Sequence, residues 1–416
     1  MIVCLSLPIL WCHNWNTQPF VLSRTHTIMY ANKTRLIDTF LITYEKLLAY
    51  YEVGHSVGTV FKEWIHKYFN SSLIPSRLLP FYDTHKGREI FAKYLKASES
   101  SFPQYVTELR GMSDGSGMPF EQLFLLNLAK ETYFLDLIEA EDNPEQHIHG
   151  CSSVYVNTPD LKILALNEDV DAFSTPYFYI ISAHIIDPGV QKGTVTCEEE
   201  HFTSLSCPDS LPGYGFGFNK YGLAYTINAT VPMKSCVGSP PAGLITRALL
   251  SASSVDEMVR ISRNEGYGAS DGFNANIASV NHKEMWSLEV GPGKFESPLK
   301  LTTIHEQVDP DKPCHYFHFN SYYHLKDVEQ NFNLPSSNAR TKRAREMLPP
   351  RTLKDIKAVL GDTQNNMYPI YRCAKGPDPS LTGSTVVFDL LKKTMEVYTE
   401  NPKKDNAPLV KLPLTL

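Results

Sequence analysis

Two short segments of the chain carry residue types that could form a thiol-based active site. Gly150-Cys151-Ser152-Ser153 places a thiol where a polar stretch gives way to strand-like residues, and Asn167-Glu168-Asp169 closes the next strand-like run. A thiol is the nucleophile of many amide-cleaving enzymes once a neighbouring base takes its proton. A lone cysteine at a strand start is more often a small core residue, so both interpretations stay open here.

Three other segments carry chemically active residue types but have simpler explanations. The cysteine and histidines between positions 314 and 324 match no closed zinc-site spacing, and their segment alternates like a strand, so no metal is expected. Gly213-Tyr-Gly215-Phe-Gly217 lacks the full spacing of a dinucleotide-binding loop, which favours a glycine-rich strand instead. The basic residues between 340 and 345 could bind phosphate, although a solvated helix face explains most of them.

The hydrophobic pattern changes from helical to strand-like at Cys151. Before this point the spacing predicts four helices, over 36–54, 87–99, 102–112 and 118–134, and a polar linker over 139–149. After it come predicted strands over 151–157, 161–167, 177–186, 213–219, 222–228, 274–281, 285–291, 315–320, 384–390 and 395–400. Helices are predicted between them over 240–252, 254–266, 336–348 and 352–361. Helices in these positions can pack on the outer faces of stacked sheets, so the pattern favours an α+β fold.

Composition narrows the functional classes further. The 416 residues carry a formal net charge of −6, which argues against a nucleic-acid partner. No apolar run is long enough to predict a membrane-spanning helix, so no membrane partner is expected. The eight cysteines are scattered and form no CxxC pair, which favours a reducing, cytoplasmic location. Residues 1–28 are interpreted as an N-terminal extension, with a targeting signal as the alternative.

Five motifs in order resemble the acyl-coenzyme A:6-aminopenicillanate acyltransferase family of N-terminal nucleophile hydrolases. They are the helical segment 108–127, Gly150-Cys151-Ser152-Ser153, Asn167-Glu168-Asp169, Tyr225-Thr-Ile-Asn228-Ala and Ser337-Asn-Ala-Arg340-Thr-Lys-Arg343. The resemblance implies a four-layer αββα sandwich with a helical N-terminal segment. It also implies self-cleavage between Gly150 and Cys151, which would divide the chain into a helical α-region, 29–150, and a β-region, 151–416, that stay associated. A higher oligomer is left open.

The resemblance also implies roles for the remaining site residues. Cleavage would free an α-amine beside the thiol of Cys151, with pKa values near ~7.7–8.0 and ~8.5, so that one residue supplies both base and nucleophile. Asn228 would donate to the oxyanion. Asp169 and Arg340 would pair and orient the amine, and Ser153 would assist the cut or anchor the new amine. No cofactor is expected.

The sequence departs from the family around the predicted substrate pocket. Ser153 stands where the family has threonine, and Glu168 and Asp171 stand where it has aromatic residues. Within the family, the resemblance points to hydrolysis of N-β-alanyl amides of biogenic amines. The small-molecule substrate would then bind its ammonium at Glu168 or Asp171 and its amine part against Phe173 and Tyr177. Glu168 and Asp171 also fit an ordinary role as solvated turn residues, and Phe173 and Tyr177 fit an ordinary role in the core. Acyl transfer to an amine and an uncleaved binding protein remain the alternatives.

Overall fold

The computed structural model describes most of the chain. The described residues are 38–45, 49–72, 74–129, 131, 150–187, 193–309, 311–312, 314–330, 334–375, 378–404 and 406–416. The predicted extension 1–28 and the predicted linker 139–149 lie outside these ranges. Within these ranges, no helix combines the length and the apolar character needed to cross a membrane.

The described residues form two sheets. Their strands are β1 Asp38–Glu45, β2 Cys151–Thr158, β3 Leu161–Asp171, β4 Tyr179–Ile186, β5 Glu199–Ser206, β6 Phe216–Asn219, β7 Leu223–Ala229, β8 Phe273–Ser279, β9 Met285–Val290, β10 Leu299–Ile304, β11 His315–His318, β12 Ser380–Asp389, β13 Thr394–Tyr398 and β14 Val410–Pro413. One sheet has the order β1-β4-β5-β6-β7-β8-β9-β10 and the other β11-β2-β3-β12-β13-β14. The pairing of β1 with β4 is parallel, and the other pairs of named strands are antiparallel.

Helices precede the first hairpin and connect the later strands. They are α1 Ala49–Val60, α2 Lys62–Ser71, α3 Leu79–Tyr82, α4 His85–Ser101, α5 Pro103–Ser116, α6 Phe120–Leu128, α7 Ala242–Leu249, α8 Val255–Arg263, α9 Pro335–Glu346 and α10 Leu353–Leu360. Side-chain caps mark the starts of three of them, α4, α8 and α10. The Ser254 hydroxyl accepts from the Glu257 N–H at the start of α8, and Thr352 and Asp355 form a capping box at the start of α10.

The layers follow from the two-residue period of the strands. Val154 and Val156 of β2 pack with Ile356 of α10 on the outer face of the smaller sheet. Tyr155 lies on the opposite face and belongs to the main core, which also includes α1, α5, α7, α8 and the larger sheet. The expected four-layer αββα sandwich is therefore present, and the thiol of Cys151, on the Tyr155 face, points between the sheets.

One predicted helix is wrong and three strands were not predicted. The segment predicted as a helix over 36–54 forms strand β1 and then helix α1. The β1 sequence, DTFLITYE, is rich in β-branched and aromatic residues, and pairing with β4 decides in favour of the strand. Strands β5, β10 and β14 were missed: β5 has polar residues in succession, and β10 and β14 are short, at six and four residues. The other predicted strands match named strands, with shifted ends.

Candidate active site

Cys151 is the first residue of β2 and is held by polar contacts on its backbone. Its N–H donates to Oδ1 of Asn320 at 3.1 Å, and its carbonyl accepts from Nη1 of Arg340 at 2.7 Å. The side chain is buried, with 5% exposed. Burial raises the pKa of the thiol well above its usual value, and the carboxylates of Glu168 and Asp169 add to that shift. These surroundings favour the neutral thiol of Cys151.

Gly150 occupies a position that no other residue type fits without displacement. Its carbonyl oxygen accepts from the backbone N–H of Asp169 at 3.1 Å. A Cβ atom at this position would lie 2.5 Å from Nη1 of Arg372 and 2.8 Å from Nη2 of Arg340. Both guanidinium groups are buried, so neither can easily move into water. The absence of a side chain at Gly150 therefore lets two cations pack against the bond before Cys151.

Asp169 lies between these two cations at the end of the first hairpin. Its Oδ1 accepts from the Thr382 hydroxyl at 2.7 Å. Its Oδ2 is 3.9 Å from Nη1 of Arg340 and 3.8 Å from Nη1 of Arg372, and it has no hydrogen-bond partner among the described residues. Burial raises the pKa of this carboxyl to about 6, although both guanidinium groups oppose the shift. Asp169 and Arg340 thus form a long ion pair, and the role in orienting an amine that the resemblance implies for them stays a prediction.

Arg340 projects from α9 and organises the Cys151 side of the site. Its Nη1 also donates to the Ser152 hydroxyl at 2.9 Å, and its Nη2 donates to Oδ1 of Asn320 at 2.9 Å. Burial, and then the nearby guanidinium of Arg372, lower the pKa of Arg340 to about 10. It remains a cation at neutral pH and connects three polar groups around Cys151.

Arg372 and Asp378 complete the charged cluster and were not predicted. Nε of Arg372 lies 3.0 and 2.9 Å from the two carboxylate oxygens of Asp378, and Nη2 also contacts that carboxylate. The side chain is 3% exposed. Nothing in the local sequence distinguishes this arginine from a surface one. Its partners are Asp169 at the end of β3 and Asp378 in a loop six residues later, and only the fold brings all three together. Asn320, just beyond strand β11, was also missed.

Asn228, on β7 of the opposite sheet, faces strand β2. Its Oδ1 accepts from the Ser153 hydroxyl at 2.9 Å and from Nδ2 of Asn276 at 2.6 Å. Its Nδ2 is buried and has no hydrogen-bond partner among the described residues. The backbone N–H of the next residue, Ala229, is hydrogen-bonded to the Cys151 thiol and opposes the rise in its pKa. Strand β7 therefore offers two N–H donors, one at the sulfur from Ala229 and one on the neighbouring residue Asn228 that has no partner in the described part of the chain.

A chain of buried amides lies behind Asn228. The Ser287 hydroxyl donates to Oδ1 of Asn274 at 2.8 Å, and Nδ2 of Asn274 donates to Oδ1 of Asn276 at 2.7 Å. Nδ2 of Asn276 then reaches Asn228 and also the Ser153 hydroxyl at 3.0 Å. All of these groups are buried. The alternation Asn274-Ala-Asn276 in a predicted strand is the signal that could have identified two amides on one face.

Glu168 pairs directly with Cys151 in the β2–β3 ladder, so their side chains share a face. A Cβ atom at Gly215 would lie 3.3 Å from Oε2 of Glu168. The predicted close backbone approach of the glycine-rich strand thus occurs at this carboxylate. Strand β6 follows Gly215, as expected for a strand and not for a nucleotide loop.

The other predicted substrate residues lie at or beyond the end of β3. Asp171 pairs with Ser380 of β12 and is partly exposed. The rings of Phe173 and Tyr177 lie 5.3 and 5.7 Å from the ring of Tyr68 in α2. They form part of an aromatic cluster against α2, and their role in binding stays a prediction. Over the described ranges no group of three or more histidine, cysteine or acidic residues is arranged to hold a metal ion.

Three comparisons with known proteins bear on this site. Residues 156–404 match the family described as acyl-coenzyme A:6-aminopenicillanic acid acyl-transferase. The beta-alanyl-dopamine/carcinine hydrolase of Drosophila melanogaster is 31% identical over 375 residues, which covers 88% of this chain and 94% of that protein. A mutant conjugated bile acid hydrolase from Clostridium perfringens overlaps 60% of this chain and 89% of its own, with a TM-score of 0.35 and 13% identity. Penicillin V acylase from Agrobacterium tumefaciens overlaps 60% and 82%, with a TM-score of 0.36 and 11% identity.

Proposed function

The chain belongs to the acyl-coenzyme A:6-aminopenicillanic acid acyl-transferase family, and on that premise we propose that it is a self-processing thiol hydrolase of linear amides. Its nucleophile is Cys151, which becomes N-terminal when the Gly150–Cys151 bond breaks. The observation that carries the proposal is the 31% identity, over 94% of its length, to a relative named as a beta-alanyl-dopamine/carcinine hydrolase. The thiol, the two β7 donors and the Asp169–Arg340 pair give that identity a chemical basis.

Self-cleavage begins when the Cys151 sulfur bonds to the carbonyl carbon of Gly150 and the thiol gives up its proton. The tetrahedral species then collapses, the carbon–nitrogen bond breaks, and the nitrogen of Cys151 takes a proton to become a free amine. Water hydrolyses the resulting thioester, which leaves a carboxylate on Gly150 and returns the thiol. The cut converts a buried peptide nitrogen into a base beside the sulfur.

Turnover uses the same sulfur with the new amine as its base. The amine takes the thiol proton, the sulfur attacks the substrate amide carbon, and the leaving amine takes the proton. Nδ2 of Asn228 and the N–H of Ala229 stabilise the oxyanion, and the ion pair of Asp169 with Arg340 orients the amine. Water then releases the acid from the thioester. No cofactor takes part in these steps.

The proposed substrates are N-β-alanyl amides of biogenic amines, in particular N-β-alanyl-dopamine and carcinine. The β-alanyl group carries an ammonium, and Glu168 offers a carboxylate on the face of the Cys151 thiol. Asp171 is the second candidate for the ammonium. Phe173 and Tyr177 would contact the aromatic amine part. The alternative within the same chemistry is acyl transfer, in which an amine and not water accepts the thioester.

Two further proposals concern the state of the protein in the cell. The α- and β-fragments stay associated after the cut, because buried contacts such as Glu108 with Arg247 join residues on either side of it. The protein works in the cytoplasm, since this chemistry requires a reduced thiol at Cys151.

Denaturing gels of the wild-type protein and a Cys151→Ala variant test the processing step. Wild type is expected to give fragments of about 17 and 30 kDa, in proportion to its lengths of 150 and 266 residues, and Cys151→Ala a single 47.0 kDa band. A single wild-type band whose Cys151 resists alkylation would support the uncleaved binding protein instead.

Incubation with N-β-alanyl-dopamine, carcinine and N-acetyl-dopamine then tests the activity. Release of free amine from the first two, and little from the third, is the expected result. Product ratios with and without an added amine separate hydrolysis from acyl transfer, because a transferase would form a new amide with the added amine.

A further inference from the structure

The two buried arginines at the site differ in their contacts around the bond to be cut. Arg340 binds atoms that follow the bond, namely the carbonyl of Cys151 and the hydroxyl of Ser152. Arg372 lies against Gly150, which precedes the bond, where a Cβ atom would be 2.5 Å from its Nη1. Nη2 of Arg340 also lies near Gly150, 2.8 Å from such a Cβ atom, but the hydrogen bonds of Arg340 go to atoms that follow the bond.

Asp378 binds two of the three guanidinium nitrogens of Arg372 and leaves Nη1 without a hydrogen bond in the part of the chain that the structure describes. Nε and Nη2 both engage the Asp378 carboxylate, which fixes the plane of the guanidinium. Nη1 is buried and has no hydrogen-bond partner among the described residues. It lies 3.8 Å from Oδ2 of Asp169, too far for a hydrogen bond. A buried guanidinium N–H without a partner is unfavourable. A later state of the protein that supplies an acceptor at this position would therefore be stabilised.

Self-cleavage supplies such an acceptor at this position. Attack by the Cys151 sulfur turns the Gly150 carbonyl into an oxyanion, and hydrolysis of the thioester later turns it into a carboxylate. The N–H of Asp169 already donates to the Gly150 oxygen at 3.1 Å. The cation of Arg372 lies beside the same residue, so negative charge that develops there forms next to a fixed positive charge.

We propose that Arg372 serves self-processing: its Nη1 stabilises the negative charge that forms on Gly150 and then binds the Gly150 carboxylate left by the cut. The inference rests on the proposed self-cleavage of the Gly150–Cys151 bond. Substrate amides are attacked by the same sulfur, but their oxyanion is assigned to the two β7 donors and not to Arg372. Arg372 thus matters more for the single cut than for each later turnover.

The test compares two rates in an Arg372→Gln variant. Self-cleavage is followed on denaturing gels after synthesis, and turnover of N-β-alanyl-dopamine is measured per cut chain, counted from the β-fragment band on the same gels. The rate of cutting is expected to fall at least tenfold more than turnover per cut chain. Arg372→Lys, which keeps the charge but loses the fork of donors, should recover part of the cutting rate.

Arg343→Gln is the matched control. Arg343 also binds an aspartate through Nε and Nη2, at 3.0 and 2.9 Å from Asp362, but this pair lies on the outer part of α9. Its loss should leave the ratio of the two rates within twofold of wild type. If Arg372→Gln does not fold, the ratio of the cutting rate to turnover is measured in Arg372→Lys instead.

The inference is overturned if Arg372→Gln, or Arg372→Lys in its place, is cut at the wild-type rate. It is also overturned if cutting and turnover fall by equal factors, because that result indicates a general structural role. A wild-type chain that is never cut would instead defeat the proposed function itself, so the two failures are distinct.

Discussion

Nδ2 of Asn276 donates a hydrogen bond to Oδ1 of Asn228 at 2.6 Å. The orientation of Asn276 is itself fixed, because the same nitrogen lies 3.2 Å from the backbone carbonyl of Thr226, which can only accept. Asn228 must therefore turn its own Nδ2 away from Asn276. A buried amide whose oxygen is committed and whose N–H groups are not is a preorganised donor for an oxyanion.

Replacing Asn228 should slow turnover without preventing self-cleavage. In Asn228→Ala, kcat for N-β-alanyl-dopamine is expected to fall roughly 100- to 1,000-fold with little change in KM, since one oxyanion donor is lost. Steady-state kinetics and a denaturing gel on the same sample measure both effects. Asn281→Ala, at an exposed asparagine in the β8–β9 turn, is the control. Unchanged turnover would remove Asn228 from this role.

Asn276 should act on turnover only through Asn228. Asn276→Ala is expected to lower kcat about tenfold in the wild-type background, because Asn228 loses the partner that sets its orientation. The same substitution in Asn228→Ala should cost less than about threefold, since no oriented donor remains to lose. A double-mutant cycle of kcat values measures this coupling, and additive effects would show that Asn276 does not position Asn228.

A side chain at Gly150 should obstruct the cut. The Cβ atom of Gly150→Ala would lie within 2.8 Å of two buried guanidinium groups, which must move. Self-cleavage is expected to slow about tenfold or more, equivalent to ~1.4 kcal/mol of barrier. Gly243→Ala in α7, where a Cβ atom meets nothing within 4 Å, is the matched control. Equal cutting rates in the two variants would contradict the role of this close contact.

Glu168 should determine which acyl group of the substrate is bound well. In Glu168→Gln the side-chain shape is kept but the charge is lost, so KM for N-β-alanyl-dopamine is expected to rise at least about tenfold. Hydrolysis of N-acetyl-dopamine, which lacks the ammonium, should change much less. Asp171→Asn is the comparison variant, and a larger effect there would move the ammonium site to the end of β3.

The buried cluster around Arg247 should give a distinct pH dependence of stability. Burial raises the pKa of Glu108 from 4.5 to about 7, although the guanidinium of Arg247 opposes this. Between these values the folded chain keeps a proton that the unfolded chain releases. The contribution of this group to the free energy of unfolding is therefore full below about pH 4.5 and is lost as pH rises through about 7.

Glu108→Gln should remove that dependence. Urea unfolding at several pH values, in an uncut Cys151→Ala background, compares wild-type Glu108 with Gln. The stability of the Glu108 protein relative to the Gln protein is expected to fall as pH rises from about 5 to 8. Glu99→Gln, at a half-exposed ion pair with Arg110, is the control. Parallel curves for the Glu108 and Gln proteins would contradict the raised pKa.

The sequence alone was sufficient to predict the β2–β3 hairpin, which begins with Cys151. The two-residue period of 151–157 and 161–167, with turn residues between them, predicts a hairpin that brings Cys151 close to Glu168 and Asp169, and in the structure Cys151 pairs with Glu168. These relationships span fewer than twenty residues along the chain. Local turn chemistry and strand alternation determine such contacts before any distant element is in place.

Only the tertiary structure decided the rest of the site. Asn320 reaches Cys151 and Arg372 reaches Gly150 from loops more than 160 residues away, and Asp378 binds Arg372. Strand β1 became a strand because β4 offers it an edge. The amide chain requires three strands of one sheet and a hydroxyl from the other. No local pattern records which distant side chains will meet, because burial and hydrogen-bond pairing are settled only when the two sheets pack together.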